Sequence, residues 1–249
     1  MPAGKRILIL ASFMMEIVEC GGALYKNALA GGDSHAAVLL CRSENRAATR
    51  EAAAILKTSV EFLGFEQGHV TPDVAAKKKL VEVIRRCRPE ICIMQDTVHS
   101  FTDLDPDRRL AMLLYLESLA LASRDFARDQ WPELAPCPLP TIYYMTPEHP
   151  NCVLNVADIW SVKEEAMNCL AGQQAFTARA MRSRLGADVL TALAGADHDQ
   201  LSELELGQRL HDVFDRSFHI YHGHHSHARL AMAEPYRREG PFELEQLLP

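Results

Sequence analysis

The histidine-rich segment of residues 219–227 holds the densest group of side chains that could bind a metal ion. Its members are His219, His222, His224, His225 and His227. Imidazole nitrogens are the commonest protein ligands of zinc, copper and nickel, and this spacing could bring two or three rings together on a turn. No Asp or Glu lies within the segment to act as a base. Two interpretations stay open: a metal site completed by Asp96, His99 or a carboxylate of the cleft, or a polar, partly exposed loop or subunit contact.

A second group of candidate residues follows the first hydrophobic run of the chain. That run, residues 5–11, is apolar on both faces and predicts a buried parallel strand, and Gly21-Gly22 opens a helix beyond it. In an open α/β sheet, ligands bind beyond the carboxyl ends of the strands. Residues 11–16 occupy that position, so we expect a binding cleft to form around them.

Strand and helix patterns alternate over the first part of the chain. Further strands are predicted at residues 35–41, 60–65, 91–94 and 141–145. Helices are predicted between them at residues 46–57, 74–87 and 110–122. Strands separated by helices of this length imply right-handed crossovers and a parallel sheet.

From residue 158 onward the pattern is helical, with one helix to about residue 184 and another over about residues 200–218. We therefore predict one α/β domain over residues 1–249 with a Rossmann-like parallel sheet flanked by helices. Residues of about 1–150 form the parallel α/β core. Residues of about 151–249 form a mainly helical part that covers the cleft.

Composition excludes several classes of function. The 249-residue chain has 26 Lys and Arg against 33 Asp and Glu, a formal net charge of −7, and it contains no long basic run. This balance argues against a nucleic-acid partner. The apolar run of residues 7–15 is too short to cross a bilayer, and no signal peptide precedes it. The seven cysteines are scattered and include no C-x-x-C pair, which is typical of reduced thiols. We therefore expect a cytoplasmic protein without a membrane partner.

Short motifs occur in a fixed order along almost the whole chain. They comprise Glu16 followed by Cys20-Gly-Gly22, Phe62-Leu-Gly-Phe65, Arg88-Pro-Glu-Ile, Asp103-x-Asp-Pro-Asp-Arg-Arg109, residues 155–163 with Trp160 and Lys163, Gln173, and Ala-Glu-Pro-Tyr-Arg at residues 233–237. This series resembles the motifs of the PIG-L, or LmbE-like, family of zinc-dependent N-deacetylases. The resemblance implies the α/β fold of that family.

The same resemblance implies that this chain has lost the family's catalytic residues. The family's histidine ligand, aspartate base and aspartate ligand correspond to Ser12, Met14 and Met15. Its oxyanion-stabilising histidine corresponds to Asp105, and its third ligand, also a histidine, corresponds to Arg108. A methionine cannot abstract a proton, and a guanidinium would repel a metal ion. We therefore predict that the family's usual zinc site is absent.

We expect the cleft to persist and Arg108 to pair with Asp105 or Asp107. The predicted pocket-lining residues are Ser12, Phe13, Met14, Glu16, His99, Asp103, Asp105 and Arg108. The resemblance implies a non-catalytic binding or accessory protein for a sugar-type or N-acylated small molecule, such as an amino sugar, acting as a homo-oligomer. The alternative is an active metal-dependent N-deacetylase or amidase with relocated ligands, chiefly in residues 219–227.

Overall fold

The strands of the chain form one seven-stranded mixed sheet in the computed structural model, which describes residues 4–224 and 230–239. The strands are β1 (Arg6–Phe13), β2 (Asp33–Leu40), β3 (Ser59–Phe62), β4 (Ile91–Gln95), β5 (Thr141–Met145), β6 (Cys152–Asn155) and β7 (Ala233–Glu239). Their order across the sheet is β3-β2-β1-β4-β5-β7-β6. The predicted α/β class is confirmed, and the sheet arises from the expected crossovers between parallel strands.

The sheet is parallel only from β3 to β5, so the prediction of a wholly parallel sheet is wrong at one end. Strand β7 runs antiparallel to both β5 and β6, with Met145 opposite Tyr236 and Leu154 opposite Glu234. These two strands come from residues after 150, which therefore add sheet as well as helices. The sequence did not indicate β7 because it contains Pro235 and ends in charged residues, a pattern that disfavours a strand.

Helices cover both faces of the sheet. They are α1 (Glu16–Glu19), α2 (Gly21–Leu29), α3 (Arg46–Ile55), α4 (Val74–Cys87), α5 (Thr97–Thr102), α6 (Pro106–Ala122), α7 (Trp160–Cys169), α8 (Ala171–Arg184), α9 (Ala187–Ala194) and α10 (Glu203–His224). One core cluster joins the sheet to α4 and α6, and a second joins the opposite face to α1, α2, α3 and α7. The helices α8, α9 and α10 share a small core of their own.

The C-terminal helices differ from their predicted bounds. The long helix predicted over residues 158–184 is broken at Leu170, which leaves helical geometry between α7 and α8. Helix α10 continues to His224, past the predicted end near residue 218. It lies very close to α8 at Gly207, where an added Cβ would come within 2.2 Å of the Gln174 carbonyl oxygen. The packing against α8 fixes the position of α10, and this packing cannot be predicted from the local sequence pattern.

Two further properties concern the chain as a whole. No helix within residues 4–224 and 230–239 is long and apolar enough to cross a membrane. All seven cysteines are free thiols.

Candidate functional site

The turn after β1 is held together by the buried carboxyl group of Glu16. Its two oxygens accept hydrogen bonds from the backbone N–H groups of Ser12 at 2.8 Å and Phe13 at 3.2 Å. Burial, with a further contribution from Glu19, raises the pKa of Glu16 to about 8. Glu16 therefore serves the turn itself, and it carries a proton over much of the neutral pH range.

We call Ser12, Met14, Met15, Asp105 and Arg108 the matching-position cluster, because the sequence resemblance assigns them to the positions of the family's catalytic residues. The side chain of Ser12 is fully buried. Met14 accepts a hydrogen bond at Sδ from the Thr49 hydroxyl at 3.4 Å, and Met15 packs against the core on the α1 face. Both methionine side chains thus contact other residues of the protein.

The carboxylates of the second motif bind the backbone. Asp105 caps α6 by accepting from the N–H groups of Asp107 at 2.9 Å and Arg108 at 3.1 Å. Asp107 is almost fully buried and accepts from the N–H groups of Gly68 at 2.6 Å and Val70 at 3.2 Å. Neither carboxylate is directed to a metal or a substrate, because each closes a loop or a helix end.

Arg108 pairs with Asp103, so the predicted pairing with Asp105 or Asp107 is wrong. Asp107 uses both of its oxygens on backbone N–H groups. Asp103 accepts the N–H of Asp105 at Oδ1, 2.9 Å away, and pairs with the guanidinium through Oδ2. The guanidinium of Arg108 also lies over the Phe13 ring, 5.3 Å from its centroid. A permanent cation thus stands at the position of the family's third ligand.

These residues do not fit a zinc ion. Zinc in proteins is bound by thiolate, imidazole or carboxylate groups, and the matching-position cluster offers a hydroxyl, two thioethers, a capping carboxylate and a guanidinium. The chemistry of these donors, together with the ion pair of Arg108, argues against the family's metal-dependent hydrolysis at this place. We therefore derive no catalytic step through a metal here.

The histidine-rich segment is helical as far as it is described, so the predicted turn is wrong for its first half. His219 and His222 are buried on one side of α10, and His224 is exposed. The packing of His219 against Trp160, with ring centroids 4.9 Å apart, extends the helix beyond residue 218. His225 and His227 lie outside the described residues. Within residues 4–224 and 230–239 no group of three or more potential metal ligands occurs, and the metal site of residues 219–227 stays a prediction.

The other predicted metal ligands, Asp96 and His99, lie at the start of α5. Asp96 is buried and caps this helix through the N–H of Val98 at 3.2 Å. It also forms an ion pair with Arg237, at 2.6 Å from Nη2. His99 is half-buried on the first turns of the same helix. The carboxylate of Asp96 is thus already used to join β4 to β7.

A cavity of about 680 Å³ lies beside α1 and beneath α10, beyond the carboxyl end of β5; we call it the α10 cavity. Its walls come from α1, α7 and α10. Its apolar lining comprises Met15, Val18, Trp160, Met167, Phe214 and Phe218, and its polar lining includes Glu19, Lys163, Asn168, His211, Asp215 and His219. Met15 is the member of the matching-position cluster that reaches this wall, so the two regions are neighbours.

Several polar atoms of the cavity lining lack a hydrogen-bond partner in the described structure. They are Oε2 of Glu19, Nε2 of His219 and Nδ1 of His211, the last of which faces the Asp215 carboxylate at 3.5 Å. Burial raises the pKa of Glu19; the positive charge of Arg108 opposes this shift and the negative charge of Asp215 adds to it. Burial lowers the pKa of His219 to about 4, so its ring is neutral at pH 7. Buried polar atoms without partners are uncommon in proteins, and they mark this cavity as a place where a ligand could bind.

The wall of the cavity is anchored by a buried ion pair between Lys163 and Glu234. The Lys163 ammonium also donates to the Glu19 carbonyl at 2.9 Å. Glu234 accepts from the N–H groups of Gly22 at 2.6 Å and Ala23 at 2.9 Å, at the start of α2. This network joins α1, α2, α7 and β7, which explains why residues of three separate motifs are found together.

Sequence reasoning missed the polar residues that matter most for the cavity. Glu19 stood within a recognised motif without an assigned role, and Asp215 was not singled out. The spacing of His211 and Asp215, four residues apart on one helix, places them on the same face. In the structure His211 Nδ1 lies 3.5 Å from Asp215 Oδ2, and this spacing was the one signal that could have indicated the pair.

Several known proteins are similar to this chain. Over 131 residues, which is 49% of this chain, it is 30% identical to the 4-oxalmesaconate hydratase of Pseudomonas putida KT2440. The match covers 48% of that enzyme, so the chain spans about half the length of the curated relative it matches. No family model matches the chain.

Solved structures resemble the chain over nearly its full length. The chain and GalB, the 4-carboxy-2-hydroxymuconate hydratase of Pseudomonas putida KT2440, match over 100% of both, with a TM-score of 0.67 and 20% identity. The N,N'-diacetylchitobiose deacetylase of Pyrococcus horikoshii matches 94% of this chain over 84% of its own, with a TM-score of 0.69 and 15% identity. At these identities the likeness shows the fold. It confirms the resemblance seen in the sequence: this chain has the fold of the PIG-L/LmbE-like deacetylases and their hydratase relatives.

Proposed function

We propose that this protein binds a sugar-type or N-acylated small molecule in the α10 cavity and does not perform the family's zinc-dependent hydrolysis. It acts as a binding or accessory protein in the cytoplasm, as a homo-oligomer. The observation that carries the proposal is the ion pair of Arg108 with Asp103 at the position of the family's third metal ligand. A cation fixed there by its own carboxylate opposes metal binding.

The charges of the cavity favour one kind of ligand over another. The names of the hydratases describe carboxylated substrates, whereas the deacetylase of Pyrococcus horikoshii is named for an acetylated sugar. Glu19 and Asp215 line the cavity. A carboxylated ligand would meet these like charges, which is unfavourable at short range. A sugar brings hydroxyl donors instead and has aliphatic C–H faces that can lie against Trp160 and Phe214.

Elemental analysis tests the loss of metal chemistry. Protein without a tag is purified without nickel resin and analysed for zinc, iron, nickel and copper. We expect far less than one metal ion per chain and no release of acetate from N-acetylglucosamine or N,N'-diacetylchitobiose. The alternative, an N-deacetylase with relocated ligands, requires near-stoichiometric metal that disappears when His222, His224 and His225 are changed to alanine; that result would contradict the proposal.

Ligand binding is tested separately from metal content. N,N'-diacetylchitobiose at millimolar concentration is expected to raise the melting temperature, because a ligand that binds the native state stabilises it. Phe214→Ala opens the wall of the cavity and should abolish this shift. Phe101→Ala is the control, because Phe101 is 71% exposed on α5. If N,N'-diacetylchitobiose leaves the melting temperature unchanged, the binding role is contradicted. Size-exclusion chromatography of the same samples tests whether the protein is a homo-oligomer.

A further inference from the structure

The α10 cavity contains a buried acceptor, Nε2 of His219, whose hydrogen-bonding capacity the described residues leave unused. Nδ1 of His219 lies 2.6 Å from the carbonyl oxygen of Asp215. A carbonyl can only accept, so Nδ1 carries the proton and Nε2 of the neutral ring bears a lone pair. Among the described residues Nε2 has no hydrogen-bond partner, and His219 is only 6% exposed. This buried atom therefore lacks a donor that a bound molecule could supply.

The charged groups of the cavity wall are mostly neutralised by residues of the protein. Lys163 pairs with Glu234, and Arg209 pairs with Asp197. Glu164 and Asp212 share the guanidinium of Arg216. The two cations of the described wall, Lys163 and Arg209, thus already form ion pairs with carboxylates of the protein.

Glu19 and Asp215 are the two acids of the wall that these cations leave aside. Oε2 of Glu19 is buried without a hydrogen-bond partner in the described part of the chain, and Arg108, which affects it through space, is bound to Asp103. Asp215 has the ring of His211 at 3.5 Å. A buried carboxylate without a partner is costly, and a cation placed beside it recovers much of that cost.

We propose that the α10 cavity binds a small molecule bearing a primary ammonium group, which Glu19 holds with help from the charge of Asp215, while a hydroxyl or N–H of the same ligand donates to Nε2 of His219. The carbon skeleton packs against Met15, Val18 and Met167. This inference rests on the proposed binding role and narrows it from sugars in general to amino sugars and similar amines. It predicts that a free amine binds more tightly than its N-acylated form, which carries no positive charge.

Three sugars that differ at one substituent test the inference: glucosamine, N-acetylglucosamine and glucose. Their affinities are measured at pH 7 by calorimetry or by saturation-transfer NMR. We expect glucosamine to bind about tenfold more tightly than the two neutral sugars, since charge-assisted hydrogen bonds are stronger than neutral ones. Glu19→Gln should reduce glucosamine to the level of glucose. Glu66→Gln is the matched control, because the Glu66 side chain is 80% exposed and lies outside the cavity wall.

Folding of the variants is followed by their melting temperatures. Glu19→Gln removes a buried charge, so we expect its melting temperature to rise by a few degrees while binding falls, as is common for binding residues. Asp215→Asn is the second variant, and it should lower glucosamine affinity in the same direction. If both variants bind glucosamine as the wild type does, the assignment of these carboxylates is overturned.

The outcomes separate this inference from the broader proposal. Neutral sugars that bind as tightly as glucosamine overturn the ammonium site and leave a sugar-binding cavity. Benzylamine, benzyl alcohol and benzoate form a second set without a sugar. If benzylamine binds and the sugars do not, the ammonium site is supported and a sugar ligand is contradicted. If neither glucosamine nor benzylamine binds, or if benzoate binds more tightly than benzylamine, the inference is overturned.

Discussion

The matching-position cluster and the α10 cavity share Met15 but differ in how their charged side chains are paired. In the cluster, Arg108 is paired with Asp103 and Asp105 is used as a helix cap. In the cavity, Oε2 of Glu19 is buried without a hydrogen-bond partner among the described residues, and Asp215 has only the His211 ring at 3.5 Å. The cluster lies where the family has its catalytic groups, yet its charges are satisfied within the protein.

This difference in pairing indicates where a ligand could bind. Charges neutralised by neighbouring residues contribute to folding and leave little interaction for a bound molecule. Uncompensated groups in a cavity lower stability unless a ligand supplies the missing partner, and such groups are typical of binding sites.

Loss of the buried cation Lys163 is expected to have the largest effect, because it breaks the ion pair and hydrogen bond that join α7 to β7 and α1. Lys163→Met leaves the Glu234 carboxylate buried without its ammonium partner, which typically costs about 3–5 kcal/mol. Urea unfolding measures the change in the free energy of unfolding. Lys26→Met removes an exposed ion pair with Asp158 and should cost less than about 1 kcal/mol. Equal losses in the two variants would show that Lys163 is no anchor.

The pH dependence of stability is expected to come from the α1 carboxyls. The pKa of Glu16 is about 8 in the folded protein against 4.5 for an unperturbed glutamate. The folded state therefore holds a proton that the unfolded state releases. The contribution of Glu16 to stability is fully present below about pH 4.5, is lost as the pH rises through about 8, and does not change further above that. We expect a decrease of a few kcal/mol across this range.

Unfolding by urea at several pH values measures that slope. Glu16→Gln should flatten it, while Glu66→Gln should leave it unchanged. Glu19, whose pKa is also raised by burial, contributes in the same direction, so the double variant Glu16→Gln, Glu19→Gln should be flatter still. A Glu16→Gln protein with the wild-type slope would contradict the role assigned to this carboxyl.

Replacement of Arg108 tests whether the cluster is structural. Arg108→Met leaves Asp103 without its partner, and the pair is about one-fifth to one-quarter exposed. We expect a loss of about 1–2 kcal/mol in the free energy of unfolding, with glucosamine affinity changed by less than about threefold. A large loss of affinity with unchanged stability would move the binding site from the cavity to the cluster.

Substitution of Met14 is expected to have the smallest effect. Met14→Leu keeps the volume and loses a weak sulfur hydrogen bond from Thr49, so the cost should stay below about 1.5 kcal/mol. Binding of sugars should be unchanged. An effect on affinity comparable to that of Glu19→Gln would show that the two regions act as one site.

The residues of the parallel half of the sheet were predictable from local pattern. Strand β5 and helix α4 have the bounds that periodicity and the flanking proline predict, because apolar periodicity and Pro89 act within a few residues. The replacement of the family's ligands by Ser12, Met15 and Arg108, and of its base by Met14, was likewise visible in the sequence, since motifs carry residue identity directly.

The sequence by itself thus determined the α/β class, the likeness to the PIG-L/LmbE-like family and the unsuitability of the matching-position cluster for zinc. Tertiary structure decided which aspartate pairs with Arg108, because all three candidates accept backbone N–H groups and the fold places Asp103 within ion-pair distance of the guanidinium. It also decided the antiparallel strands and the α10 cavity. Glu19 and Asp215 are nearly 200 residues apart in the chain, and only the packing of α10 over α1 and α7, which no local pattern reports, brings both to the wall of one cavity.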